Sequence, residues 1–357
     1  AKSGIAFTSQ PVVRILDAYG NLVTTGAQST QTVRLSASGS TLSGTAAISA
    51  SGGVATFANI ALEGLIGSKT LTAEVSAPAT FSAATSVSLS FGNVSKLSLE
   101  RPASGAANRI AFTTQPQVAL RDSAGNLVTG TAATISFVAS PSTTISSGTV
   151  AVNTSTAIAT FVGAYLQGTI GSYNISYGVT GASASSIATV SQTIDLTHGA
   201  ATNLAYIQQP TAARAGVTLS SAIVVKVIDA DGNLVSTGNY SSGSATLGIS
   251  VGSSLSLAGT TVGSFSAGIV TFSNVAVTGI AQDFVRIAVY PSNPTINHFP
   301  STDLFALAAG LPSQLVVANG YQPSSVSAGV TQSANLQLTL KDAYGNTTSQ
   351  SDTISIA

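Results

Sequence analysis

The chain has 357 residues with 12 basic and 12 acidic side chains, so net charge gives no case for nucleic acid, an anionic membrane or a polyanionic partner. Only 7% of residues are charged, against roughly 25% in an ordinary globular protein, and Ser, Thr, Ala and Gly must wet the surface instead. Cys, Met and Trp are absent, which excludes disulfides, thiolate metal sites and thiol nucleophiles and leaves a chain that tolerates oxidising surroundings.

No stretch approaches the ~20 apolar residues of a membrane span, and the first residues, AKSGIAF, lack a signal peptide's apolar run. The chain reads as a mature or internal segment.

The first predicted strand carries Val13 and Ile15 at period two and runs into the turn Asp17-Ala-Tyr-Gly20-Asn21. The alternation resumes in Thr32-Val-Arg-Leu-Ser36, and Gly44-Thr45 stands thirteen residues before Phe57, which precedes Gly64 by seven. An opening strand runs from Leu97 to Pro102, and Val118 and Leu120 lead into Asp122-Ser-Ala-Gly125-Asn126. Gly148-Thr149, Phe161 and Gly168 then repeat the earlier offsets. The third round has Leu204 to Pro210, Val225 and Val227, Asp229-Ala-Asp231-Gly232-Asn233, Gly259-Thr260, Phe272 and Gly279. A fourth opens at Leu315 and places Leu336, Leu338 and Leu340 before Asp342-Ala-Tyr-Gly345-Asn346, with Ile354 and Ile356 beyond. Arg14, Arg121, Lys226 and Lys341 fall in these strands on what should be the outer register, a poor setting for a Lys–Asn isopeptide crosslink.

The turn recurs at spacings of 105, 107 and 113 residues, the length of one small β domain. Helical spacing never takes hold. Short alternating strands with no helix to cover a sheet predict an all-β chain of tandem antiparallel β-sandwiches, with domains at 1–93, 94–199, 200–310 and 311–357. Copy one lacks a counterpart of the Leu97-to-Pro102 strand, and copy four holds only early strands. Both are expected to need completion by the rest of a longer chain or by copies of itself.

The D-x-x-G-N-x-V motif, cleanest at Asp17 to Val23, resembles the bacterial Ig-like tandem repeats of invasin and intimin type, found also in surface-layer proteins and large adhesins. The steps Gly53-Val-Ala-Thr-Phe57 and Gly171-Ser-Tyr-Asn-Ile175 carry the same resemblance. It implies Ig-like sandwiches that serve as spacers or lattice bricks. Copy four departs from the pattern at Thr347 and copy three at Gln282-Asp283-Phe284.

Asp229, Asp231 and Asn233 alternate as oxygen ligands of a calcium loop do. Tyr19, Ala124 and Tyr344 replace Asp231 in the other copies, so the reading that fits all four is a turn in which Asp caps the backbone, Gly-Asn supplies positive φ, and nothing is bound. His198 and His298 have no neighbouring ligand or nucleophile in sequence, and no GxSxG, P-loop or dinucleotide fingerprint occurs. No catalytic residue and no cofactor is therefore assigned. Asn93, Asn153, Asn174, Asn239 and Asn346 lie in N-x-Ser/Thr sequons and are the candidate glycosylation sites.

The function expected is that of a non-enzymatic structural protein on a prokaryotic cell surface, self-assembling as a surface-layer lattice. The stalk of an adhesin or extracellular filament is the second reading, and the accessory region of a secreted enzyme a third. Cell-wall components and glycans are open as further partners.

Overall fold

The structure, a computed structural model, describes residues 1–76, 80–146, 148–181, 186–238, 241–252, 254–293, 296, 300–318, 325, 327–331, 336–351 and 353. Among them there is no α-helix; one 3-10 turn, Ala27–Thr30, interrupts an otherwise all-β chain. Period-two alternation sets each strand's inner face, as in Thr32–Ser38, where Val33 and Leu35 are buried while Thr32, Arg34 and Ser36 are exposed. The chain divides into two compact units, Ala1–Leu196 and Thr197–Ala357.

The first unit holds two apolar cores. In copy one, Thr32–Ser38, Gly67–Val75 and Phe81–Leu89 form a sheet with Ala47–Ser49, and Val12–Arg14 pairs with Val54–Thr56 across the core from it. Ile15, Val33, Phe57, Ile60 and Leu71 fill the space between. In copy two the matching sheet is Thr149–Ala151, Thr134–Ser140, Gly171–Thr180 and Val190–Leu196. The facing sheet has three strands, with Gln117–Arg121 between Ile158–Thr160 and the opening strand Lys96–Arg101. Phe137, Phe161 and Tyr177 meet at its centre with ring centroids 5.4 to 6.0 Å apart.

The second unit repeats the plan around Val225, Val227, Phe272, Ile287 and Phe305. Ile223–Ile228 lies between Asn203–Gln208 and Ile269–Phe272. The pairing of Ala213–Arg214 with Phe305–Ala308 is parallel, as is the isolated bridge of Lys2 with Ser90 in copy one, whereas the other strand pairs among the described residues are antiparallel. The landmark residues Phe57, Phe161 and Phe272 are all at most 1% exposed, and truncating any one to Ala should cost about 3–5 kcal/mol. In copy four, Gln314–Val317 pairs with Leu338–Lys341 in the register that joins Lys96–Arg101 to Gln117–Arg121. Leu315 and Leu336 remain exposed and Leu338 and Leu340 half-buried; Ile354 and Ile356 lie outside the described residues.

The strand cations do not share one outer environment. Arg14 is exposed, but Arg121 is half-buried and holds Glu100 at 2.9 Å, and Lys226 and Lys341 are half-buried as well.

Candidate functional site at the repeated turn

The turn has one internal geometry in all four copies. The Asp N–H donates to the Asn carbonyl, and the Gly N–H donates to the Asp carbonyl, at 17–21, 122–126, 229–233 and 342–346. The Asp Oδ1 accepts the Asn N–H at 2.8 to 3.0 Å in every copy. Gly20, Gly125, Gly232 and Gly345 have φ between 83° and 96°, a left-handed value that side chains resist. Asp therefore caps the backbone through its own carboxylate, as an Asx turn does.

The carboxylate's second oxygen reaches further. Asp122 Oδ2 accepts the N–H of Gly92 at 2.8 Å, Asp229 Oδ2 that of Gly199 at 2.9 Å, and Asp342 Oδ2 that of Gly310 at 2.7 Å. Each glycine stands just ahead of an opening strand, so the turn fixes where the chain enters its sandwich. A Cβ on Gly92 would lie 2.2 Å from the Ser3 carbonyl oxygen, and one on Gly310 would lie 2.2 Å from that of Ala215. Only glycine lets the linker pass between the carboxylate ahead and the backbone behind.

The Asn completes a clamp. Asn126 Nδ2 donates both to Asp122 Oδ2 at 2.8 Å and to the Gly64 carbonyl at 2.9 Å, while its Oδ1 accepts the Ile66 N–H at 2.9 Å. Asn346 repeats this on Asp342, the Gly279 carbonyl and the Ala281 N–H at 2.8, 3.0 and 2.8 Å. One amide thus satisfies a carboxylate in its own turn and a backbone donor–acceptor pair in the sandwich before it. Tyr344 adds a ring over Gly216, where a Cβ would come within 2.7 Å of it. In copies two and four the turn grips the preceding sandwich, through backbone groups that leave no side-chain signature.

Burial follows the clamp. Asp122 and Asp342 are each 1% exposed, whereas Asp17 is exposed and Tyr19 is 92% exposed. For Asp122 and Asp342, burial pushes the carboxyl pKa up, but it is outweighed by the Asn amide, the Gly92 or Gly310 N–H and the turn's own N–H groups, so both lie below the ordinary value. Asp17 is lowered too, first by the Asn21 N–H.

At the calcium candidate, Asp229 Oδ1 accepts the N–H groups of Asp231 and Asn233 at 3.0 Å, and Oδ2 accepts Gly199 and the Asn233 amide. Among the described residues no three His, Cys, Asp or Glu side chains gather as a metal site. His198 has Nδ1 2.9 Å from the Gly199 carbonyl and Nε2 2.8 Å from Thr237 Oγ1; His298 lies outside the described residues.

Of the sequons, Asn93, Asn153 and Asn174 are exposed, and Asn239 lies outside the described residues. Asn346 is 7% exposed with its amide committed to the clamp, so a glycan there would have to break the joint. A sequon carries no information about burial, which is why sequence reading placed a glycan candidate on it. Gly92, Gly199 and Gly310 escaped that reading, although they stand 30, 30 and 32 residues before their Asp partners.

Among the described residues no helix is long and apolar enough to cross a membrane. No family model matches the chain, and no curated protein matches it. Similar solved structures include domains 1–6 of the surface layer protein SbsC, with 14% identity and a TM-score of 0.28 over 96% of this chain and 43% of that one. Invasin, described as a bacterial integrin-binding protein, has 17% identity and a TM-score of 0.34 over 95% of this chain and 66% of that one. The D00–D0 domain of intimin has 15% identity and a TM-score of 0.31 over 59% of this chain and 99% of that one. The chain thus spans less than two thirds of the first two. It is an all-β chain of tandem Ig-like antiparallel β-sandwiches, and its structural neighbours include a surface-layer protein, invasin and intimin.

Proposed function

We propose that this chain is a non-enzymatic structural protein of a prokaryotic cell surface, in which four repeats (1–93, 94–199, 200–310 and 311–357) act as bricks, the second clamped on the first and the fourth on the third. The observation that carries this reading is the Asn clamp. A hydrogen-bonded carboxylate–amide pair spent on joining one sandwich to the next has no catalytic use, but it resists bending at the joint. The working parts of the joint are backbone groups, two side chains per turn and a linker glycine.

The finer reading is assembly into a surface-layer lattice outside the cell. Twelve acidic and twelve basic residues let identical surfaces approach without net repulsion, and exposed Leu65, Ile66, Val162 and Phe284 offer apolar contact points. A stalk is favoured by the clamp itself, since stiff joints give reach. Electron microscopy of the purified chain under assembly conditions separates the two: ordered two-dimensional sheets support the lattice, isolated fibres support the stalk, and hydrolytic activity in a substrate screen would overturn both.

A further inference from the structure

One hairpin is built differently in copy two. In copies one and three it is a two-residue turn: Gly52 and Gly53 lie between the bridged residues Ser51 and Val54, and Ala267 and Gly268 between Ser266 and Ile269. In copy two the bridged residues are Asn153 and Ile158, and four residues, Thr154 to Ala157, lie between them. The hairpin does the same structural work in all three copies, since Ile15, Leu120 and Val227 donate their N–H groups to the carbonyls of Gly53, Ala157 and Gly268. Two residues suffice to close it, so the two more in copy two are not required by the fold. What the longer loop contains is the triplet Asn153-Thr-Ser155, an N-x-Ser sequon.

The loop presents that triplet outward. Asn153, Thr154, Ser155 and Thr156 are exposed in succession, between buried Val152 and buried Ala157. The main chain of Asn153 is fixed: its N–H donates to the Ile158 carbonyl, and its own carbonyl accepts the N–H groups of Thr156 and Ala157. Its side chain is oriented as well, because Oδ1 accepts the Ser155 N–H at 2.9 Å in an Asx turn. Among the described residues Nδ2 has no hydrogen-bond partner, so the carboxamide nitrogen and the hydroxyl two residues on are offered together. The other described sequons are held in place. At Asn93 the preceding N–H is on Asp122, the Ser95 N–H is on the Arg121 carbonyl, and Val94 between them packs on the core of copy two. Asn174 lies within the strand Gly171–Thr180 beside Ile175, which is fully buried, and Asn346 closes the clamp. Drawing any of these three into an enzyme would peel a strand or open a joint, whereas Asn153 needs only its loop.

We propose that Asn153 is a glycan attachment site, modified by transfer from a glycan carried on a polyprenyl diphosphate. The Asn153 carboxamide nitrogen attacks the anomeric carbon: a C–N bond forms, the C–O bond to the carrier breaks, the nitrogen gives up one proton, and the polyprenyl diphosphate leaves with the bonding electrons. Placed on the longer loop, the sugar adds hydrated surface to a chain with only 7% charged residues and disturbs no strand pair. This inference stands independently of the choice between lattice and stalk.

The first test is peptide mass spectrometry on the chain taken from the cells that make it. A glycan mass is expected on the peptide containing Asn153, and it should vanish in Ser155→Ala, which keeps Asn153 and the backbone N–H that orients it. The second test addresses the geometry. The folded chain is incubated with a polyprenyl-diphosphate-linked glycan and an oligosaccharyltransferase that modifies the free peptide AVNTSTAI, residues 151–158. Asn153 should be occupied about tenfold or more above Asn93, Asn174 and Asn346, which are reached only by local unfolding, and unfolding the chain beforehand should erase the preference. An unmodified Asn153 in the natural chain, a glycan that survives Ser155→Ala, equal occupancy of the four sequons in the folded chain, or a preference that persists after unfolding would each overturn the proposal.

Discussion

Asp17-Ala-Tyr-Gly-Asn21 and Asp342-Ala-Tyr-Gly-Asn346 are the same five residues, folded into the same turn, in opposite surroundings. In the first, Asp17 bonds only within its turn and Tyr19 is 92% exposed; in the second, Asp342 is 1% exposed and bonded to Gly310, while Asn346 holds Gly279 and Ala281. The pentapeptide encodes the loop, and within residues 1–357 that loop is also a joint at 342–346 and not at 17–21. Identical substitutions at the two places therefore isolate the worth of the joint from the worth of the turn.

The largest contrast is expected at the asparagines. Asn346→Ala should leave the half-buried Gly279 carbonyl and Ala281 N–H without the Asn amide and take one of two donors from Asp342 Oδ2, at a cost of about 1–3 kcal/mol. Asn21→Ala makes the same chemical change where water replaces the lost bonds, and should cost no more than about 0.5 kcal/mol. Equal effects in denaturant unfolding at the two sites would break the comparison.

Next come the carboxylates. Asp122→Ala removes the acceptor for Gly92 and for both nitrogens of Asn126, and about 1.5–3 kcal/mol should be lost. Asp17→Ala should shift the melting temperature by no more than experimental error.

A smaller and reversible effect should appear in acid. Asp122 and Asp342 have folded pKa values below the unfolded carboxylate value of about 3.9, so their contribution is complete above that value and is lost as pH falls through the lower folded one. Exchange of the Ile66 and Ala281 amides, both donors to a clamp Asn, should accelerate below about pH 4. Unchanged protection down to pH 2 would show that the charge is not needed. The smallest expected effect is none: chelator should leave thermal unfolding where it was, because Asp229's oxygens already accept N–H groups. A marked destabilisation would instead make calcium part of the structure.

Much of the fold was legible because it is written several times. Val13 with Ile15 and Val225 with Val227 showed the strand period, and Phe57, Phe161 and Phe272 kept one offset from Gly-Thr and proved to be core. The turn's self-capping followed from the side-chain chemistry of Asp and Asn. The joint did not follow, because the groups that Asn126 seizes are a carbonyl and an N–H, and every residue has those. Gly64 and Gly279 were visible as landmarks without a role; their carbonyls are the sockets. Close approach at Gly92 and Gly310 is likewise a tertiary fact, which only the recurring distance to Asp hinted at.

The central claim is that the clamp, and not the mere succession of sandwiches, holds copy two on copy one. The chain has no cysteine, so spin labels can be placed through Ser38→Cys and Ser191→Cys, both exposed and one in each copy, and their separation read by pulsed electron spin resonance. A single narrow distance distribution is predicted, broadening with Asn126→Ala and unaffected by Asn21→Ala. A distribution that is already broad in the parent chain, or stays narrow when Asn126 is removed, would contradict the account.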